Sequence, residues 1–68
     1  MTIKYAKGPK AAELAKQTAE EQHAYYGCSV FGGDYYVGDA DDLDRIGVLI
    51  PIPCRAIMIE DEKAKATL

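Results

Sequence analysis

The sequence predicts an α+β fold: one N-terminal helix packed on a small antiparallel sheet of three to four strands, within one domain spanning residues 1–68. Three features predict it. Lys10–Tyr26 is dominated by Ala, Leu, Lys, Gln and Glu, all good helix formers. Cys28–Phe31 and Asp34–Val37 are short β-prone runs on either side of Gly32-Gly33, and paired glycines meet the demand of a tight hairpin turn for positive φ. Val48–Ile59 is the main apolar block, in which the prolines at 51 and 53 exclude a helix and argue against a central strand before Cys54.

Residues 1–7 form a lead in which Ile3 and Tyr5 alternate with Thr2 and Lys4, the pattern of an edge strand or an arm. Gly8 breaks it, and Pro9 suits the first turn of a helix, where its missing N–H costs nothing. Along that helix Ala11, Leu14, Ala15, Thr18, Gln22 and Tyr25 recur at three- and four-residue spacing and form one stripe. The stripe is rich in Ala, which predicts close approach to a sheet. Lys16 and Glu20 form an i,i+4 pair worth about a few tenths of a kcal/mol. Gly27 is placed to end the helix, because glycine tolerates the left-handed conformation there.

After the hairpin, Gly38 ends the second strand. Asp39 then stands where it can cap a helical turn or short 3₁₀ segment, with further acids in the first turn, where the helix dipole favours them. Leu43 and Ile46 supply its buried side, and Gly47 its end. Val48–Ile50 reads as a short edge strand or extended segment, since prolines follow. Cys54–Glu60 reads as a central strand, with Ala56 and Met58 on one face and Arg55, Ile57 and Ile59 on the other. Glu60–Leu68 reads as a charged, frayed tail.

A chain of 68 residues buries only roughly 60% of its unfolded surface and has little stability to spare. Its 49% hydrophobic content argues against disorder. No apolar run reaches the roughly 18 residues a membrane span needs, and the basic N-terminus leads into Ala-rich amphipathic sequence rather than a signal peptide. The expected location is the cytoplasm, with no membrane partner. Cys28 and Cys54 are expected to be reduced, half-buried thiols in strands; a disulfide requires that the two strands pair with close Cβ atoms. No metal or other cofactor is expected, because two isolated cysteines and one histidine lack the local spacing of a structural zinc site.

Charge is the strongest functional signal. From Asp34 to Glu62 eight carboxylates stand against Arg45 and Arg55, about −6, whereas residues 1–33 carry four Lys and three Glu, about +1. A local anionic surface attracts cationic partners and repels nucleic acid. Within it, Asp39, Asp41, Asp42 and Asp44 crowd into six positions. The run is no EF-hand loop, because Leu43 and Asp44 fall where an acid and the turn glycine belong. As a helical turn it spans roughly 7–8 Å at 1.5 Å per residue. Four carboxylates over that length approach the charge density of duplex DNA, one phosphate per about 1.7 Å of axis. A rigid row of this kind fits a Lys/Arg groove built for nucleic acid; the plain alternative is a solvated, capped turn. Glu60, Asp61 and Glu62 extend the row if the last strand ends nearby. Of Tyr35 and Tyr36, adjacent on a strand, one is expected in the core and the other exposed beside the acids.

No catalytic constellation stands beside these. His23 and Cys28 are five residues apart, but no orienting group accompanies them. Gly32-Gly33 lacks the Gly-Lys-Ser/Thr sequel of a phosphate loop. The chain reads as a binder rather than an enzyme. In its small size, its acidic stretch Asp34–Asp44 and its lack of catalytic motifs it resembles the small phage-encoded anti-CRISPR proteins. The resemblance is to that class as a whole, whose folds are diverse, so it implies no fold. It implies an inhibitor that docks on the nucleic-acid-binding surface of a CRISPR-Cas surveillance complex, such as a Cas subunit of a type I complex, and excludes target DNA by charge mimicry. Asp34, Asp39, Asp41, Asp42 and Asp44 would then stand in for phosphates, with Glu60, Asp61 and Glu62 in support and Tyr35 or Tyr36 as the aromatic anchor. Two other roles remain. One is a small phage or prophage assembly subunit that self-associates through its apolar edge at Val48–Ile52. The other is a ligand-binding or enzymatic role using Cys28, Cys54 or His23, marked by a reactive thiol.

Overall fold

The computed structural model describes residues 2–66. Its elements run β1 (Ile3–Tyr5), α1 (Ala11–Gln22), β2 (Tyr25–Cys28), β3 (Tyr35–Gly38), α2 (Ala40–Ile46), β4 (Ile52–Pro53) and α3 (Arg55–Ala66). The fold is α+β: a four-stranded antiparallel sheet in the order β1-β3-β2-β4, with the N-terminal helix packed on it.

Pro9 and Lys10 lead into α1, and the Leu14 N–H donates to the Lys10 carbonyl at 2.9 Å as the first helical bond. The buried face of α1 is Ala11, Ala15 and Ala19, four residues apart. Side chains this small bring the helix backbone close to β2 and β3, as the Ala-rich stripe predicts. The helix ends earlier than the composition suggests. His23, not Gly27, takes the left-handed conformation at φ 54° and closes the last turn, its N–H donating to the Ala19 carbonyl. Tyr25 and Tyr26, predicted as helix, are therefore the first residues of β2.

The hairpin exists, displaced from its predicted position. β2 is Tyr25–Cys28 rather than Cys28–Phe31, and β2 and β3 pair from Tyr25↔Gly38 to Cys28↔Tyr35. Val30 and Phe31 lie in the connecting loop together with Gly32 and Gly33, both at positive φ. Cross-strand partners share a face, so the register puts Ile3, Tyr5, Tyr26, Tyr35 and Val37 on one side of the sheet. That side packs with Ala15, Ala19, Ala24, Cys54 and Ile57 into the main core. The Tyr5 hydroxyl hydrogen-bonds the Thr18 hydroxyl and ties β1 to α1. On the opposite face Gly27 leaves a hollow that Val48 fills: a Cβ at residue 27 would lie 2.5 Å from Val48 Cγ1. Val48 and Leu43 are both fully buried, and α2 packs on β2 and β3.

The expected central strand at Cys54–Glu60 is instead the start of α3. Pro53 closes the two-residue edge strand β4, the Cys54 N–H donates to the Ala24 carbonyl at 3.1 Å, and the Met58 N–H donates to the Cys54 carbonyl at 3.0 Å as the helix begins. Helix α3 continues through Ala66, so most of the segment expected to be frayed is helical; Thr67 and Leu68 lie outside the described residues. Cys28 is exposed at the end of β2 and Cys54 is buried beside α3; both are free thiols, and only Cys28 lies in a strand. Among the described residues no helix is long and apolar enough to cross a membrane.

Candidate acidic interface

Helix α2 carries Asp41, Asp42 and Asp44, with Asp39 at its N-cap position. It is a seven-residue α-helix rather than a single turn, fixed at both ends by its neighbours. Asp39 sits at the N-cap position with extended backbone and makes no side-chain cap bond, so its carboxylate is free to face outward. At the other end Gly47 adopts φ 100°, and its N–H donates to the Asp44 carbonyl at 3.1 Å while the Val48 N–H donates to the Leu43 carbonyl at 2.9 Å. Leu43 is the fully buried residue of the helix and pins its inner side. Asp39, Asp41 and Asp44 are exposed and Asp42 is half-buried. Among the described residues none of these four carboxylates is ion-paired, and Arg45 supplies the helix's own cation.

Glu60 belongs to the same neighbourhood. His23 Nε2 lies 3.3 Å from both carboxylate oxygens of Glu60, and His23 also lines, with Asp39, Ile3 and Val37, a shallow groove at that end of the sheet. His23 therefore stands between the N-terminus of α2 and the middle of α3, and its left-handed backbone at the end of α1 puts it there. Asp61 and Glu62 follow on α3 and are exposed; a helix carries them, not the end of a strand.

Asp34 is set apart from the row. The Lys7 N–H donates to Asp34 Oδ1 at 2.9 Å, and Lys4 Nζ lies 3.5 Å from Oδ2. The hydrogen bond from Lys7 and the charge of Lys4 hold the Asp34 carboxyl below its ordinary range, against an opposing effect of partial desolvation. This carboxylate fastens the lead after β1 to the start of β3. A carboxyl whose folded pKa is depressed stabilises the fold above its unfolded pKa, and that contribution is lost as pH falls through the folded value. Asp34→Asn is thus expected to lower the thermal midpoint near neutral pH, with the gap to wild type closing as pH drops. Parallel melts from about pH 7 to about pH 2 check this, and a gap that stays constant over that range would refute it.

The tyrosines do not divide into one buried and one free ring. Tyr35 and Tyr36 are both half-buried, Tyr35 against the main core and Tyr36 on the opposite sheet face beside Lys4 and Gly27. The exposed aromatic is Phe31, in the loop that the paired glycines disguised as a strand end. No group of three or more His, Cys, Asp or Glu among the described residues is arranged to hold a metal ion. Compared with protein-family models, curated proteins and solved structures, the chain matches none.

Proposed function

We propose that this chain is a small acidic binding protein whose α2 face docks on a basic, nucleic-acid-binding surface of a partner protein and keeps nucleic acid out. One observation carries the reading: Asp39, Asp41, Asp42 and Asp44 are held on a short helix fixed at both ends, with none of them ion-paired among the described residues. A fixed row of carboxylates meets a Lys/Arg groove without the ordering cost a flexible acidic tail would incur. Glu60, with Asp61 and Glu62 beyond it on α3, adds charge, and Asp34 acts as a structural tie. The partner class that the anti-CRISPR resemblance points to is a CRISPR-Cas surveillance complex, with target DNA as the excluded ligand.

Exposed ion pairs contribute about 0–1 kcal/mol each, so single Asp→Asn changes are expected to weaken binding slightly and the triple change Asp39/Asp41/Asp42→Asn to abolish retention. The check is a bacterial-lysate pull-down with both proteins, followed by competition between the wild type and target DNA for the purified partner. Rising salt is expected to slow association. Equal retention of the same nucleic-acid-binding protein by wild type and triple variant would sink the reading. A second reading, the phage or prophage assembly subunit, is favoured by the exposure of Leu49 and Ile50 in the apolar segment Val48–Ile52.

A further inference from the structure

The two longest charge-free runs of the sequence, residues 22–33 and 46–54, lie side by side in the fold. The Val30 N–H donates to the Gly47 carbonyl at 3.0 Å. The Ser29 hydroxyl donates to the Ile46 carbonyl at 2.9 Å and accepts from the Phe31 N–H at 3.0 Å. Phe31 lies over Gly47 so closely that a Cβ there would overlap its ring. Residue 47 is thus glycine for two reasons, its positive φ and the ring above it. The loop is held by a buried, fully bonded serine. It nevertheless presents apolar side chains to water: Val30 is 59% exposed, Phe31 74%, Leu49 70% and Ile50 83%.

We infer that this end of the molecule is a self-association surface, and that its occupant is the same patch of a second copy in a two-fold dimer. Three arguments select the second copy. The first is area. Four side chains of this size and exposure offer on the order of 500 Å² per copy, hence about 1,000 Å² in a two-fold contact, the lower bound of a specific interface. Apolar patches of this size are often functional. The second is charge. A two-fold contact places each patch against itself, and a patch without charged residues meets no like-charge repulsion there, whereas the acidic α2 face would. The third is the core. Among the described residues, four of the nine buried apolar ones are Ala, and only Val37, Leu43, Val48 and Ile57 are larger aliphatics. Chains below about 70–80 residues commonly complete their apolar burial by oligomerising.

The sheet edges are less suited to pairing. The outer strand β1 carries Lys4, and β4 is two residues long, with Pro51 before it and Pro53 within it, devices that block strand addition. Two copies joined through the Phe31–Ile50 end would display two acidic rows, but the dimer does not depend on what those rows bind.

Sedimentation of the purified chain, without any partner, tests this between about 10 μM and about 1 mM, a range that brackets a small apolar interface. The expected result is a shift from the 7.4 kDa chain mass to twice that value. Concentration-dependent amide shifts should be confined to residues 29–33 and 47–52. Phe31→Glu and Ile50→Glu are each expected to weaken association by at least about 30-fold, the effect of losing one central contact. Both side chains are largely exposed, so the far-UV spectrum should not change; Ile50→Ser serves the same purpose if a buried-charge effect disturbs the fold. Ile59→Glu, on an apolar residue of α3 away from the patch, should leave the dimer intact. A wild-type chain that stays monomeric throughout, or a dimer unaffected by the Phe31 and Ile50 changes, overturns the proposal.

Discussion

Leu43→Ala is expected to cost about 2–5 kcal/mol, enough to unfold a substantial fraction of a domain whose total stability is of the order of 5 kcal/mol. Leu43 is fully buried and is the residue through which α2 attaches to the body. Its carbonyl also accepts the Val48 N–H, so the side chain that anchors the helix stands beside the bond that turns the chain out of it. With few large aliphatics inside, neighbouring side chains have little freedom to fill the cavity. A urea titration followed by circular dichroism reads the loss as a lower midpoint, with the slope preserved if unfolding stays two-state. Leu14→Ala is the control: Leu14 lies on α1 but is substantially exposed, so the change should alter the midpoint little. A Leu43→Ala midpoint as high as that of Leu14→Ala would show that α2 is held to the sheet by something other than this side chain.

What could be read in the sequence, and what could not, follows from how local each signal is. The start of α1, the edge strand at Ile3–Tyr5 and α2 with its terminal Gly47 were legible, because Pro9, an alternating triplet and an acid-first helix ended by glycine each act over a few residues. The end of α1 was not. His23 belongs to a residue type enriched in the left-handed region, but Gly27 offered a more conventional stop. Only tertiary packing gives Gly27 its actual role, because the residue that needs its missing Cβ is Val48, far along the chain. The segment after Pro53 was ambiguous in principle. Residues 54–60 place mostly apolar side chains on both faces of a strand, but Arg, Ala, Met and Glu are also good helix formers, and a short apolar run does not distinguish the two. The helix won: among the described side chains of α3 only Ile57 is buried in the core, so a strand buried on both faces was never required. In the candidate site, the acid row itself was readable from its spacing. That Asp34 stands apart from it, tied to Lys4 and Lys7, depends on the pairing of β1 with β3 and has no local signature.

The fit of Val48 into the hollow over Gly27 yields a prediction that also measures how tightly the second face of the sheet is packed. Gly27→Ala adds a methyl group where Val48 Cγ1 already lies 2.5 Å away, closer than real Cβ contacts come. The valine has no long flexible arm to withdraw. It is fully buried, branched at Cβ and therefore stiff at χ1, so the strain must spread into the backbone of residues 48–50, whose Ile50 carbonyl lies 3.7 Å from the same point. The expected cost is about 1–3 kcal/mol. Val48→Ala alone should also destabilise, by removing buried methyl groups and opening a cavity. The two changes together should cost less than their sum, because the new methyl at residue 27 occupies space that the smaller side chain at 48 vacates. A coupling of about 0.5–3 kcal/mol in the four-protein cycle is the expected readout by denaturant titration. Strict additivity would mean that Val48 does not rest on Gly27. Because residues 48–50 include the exposed Leu49 and Ile50, the cycle also bears on the apolar end of the molecule. Gly27→Ala should push that segment outward and weaken self-association, and Val48→Ala in the same chain should restore it, a rescue that follows from packing beneath the patch and not from any change in the residues that form it.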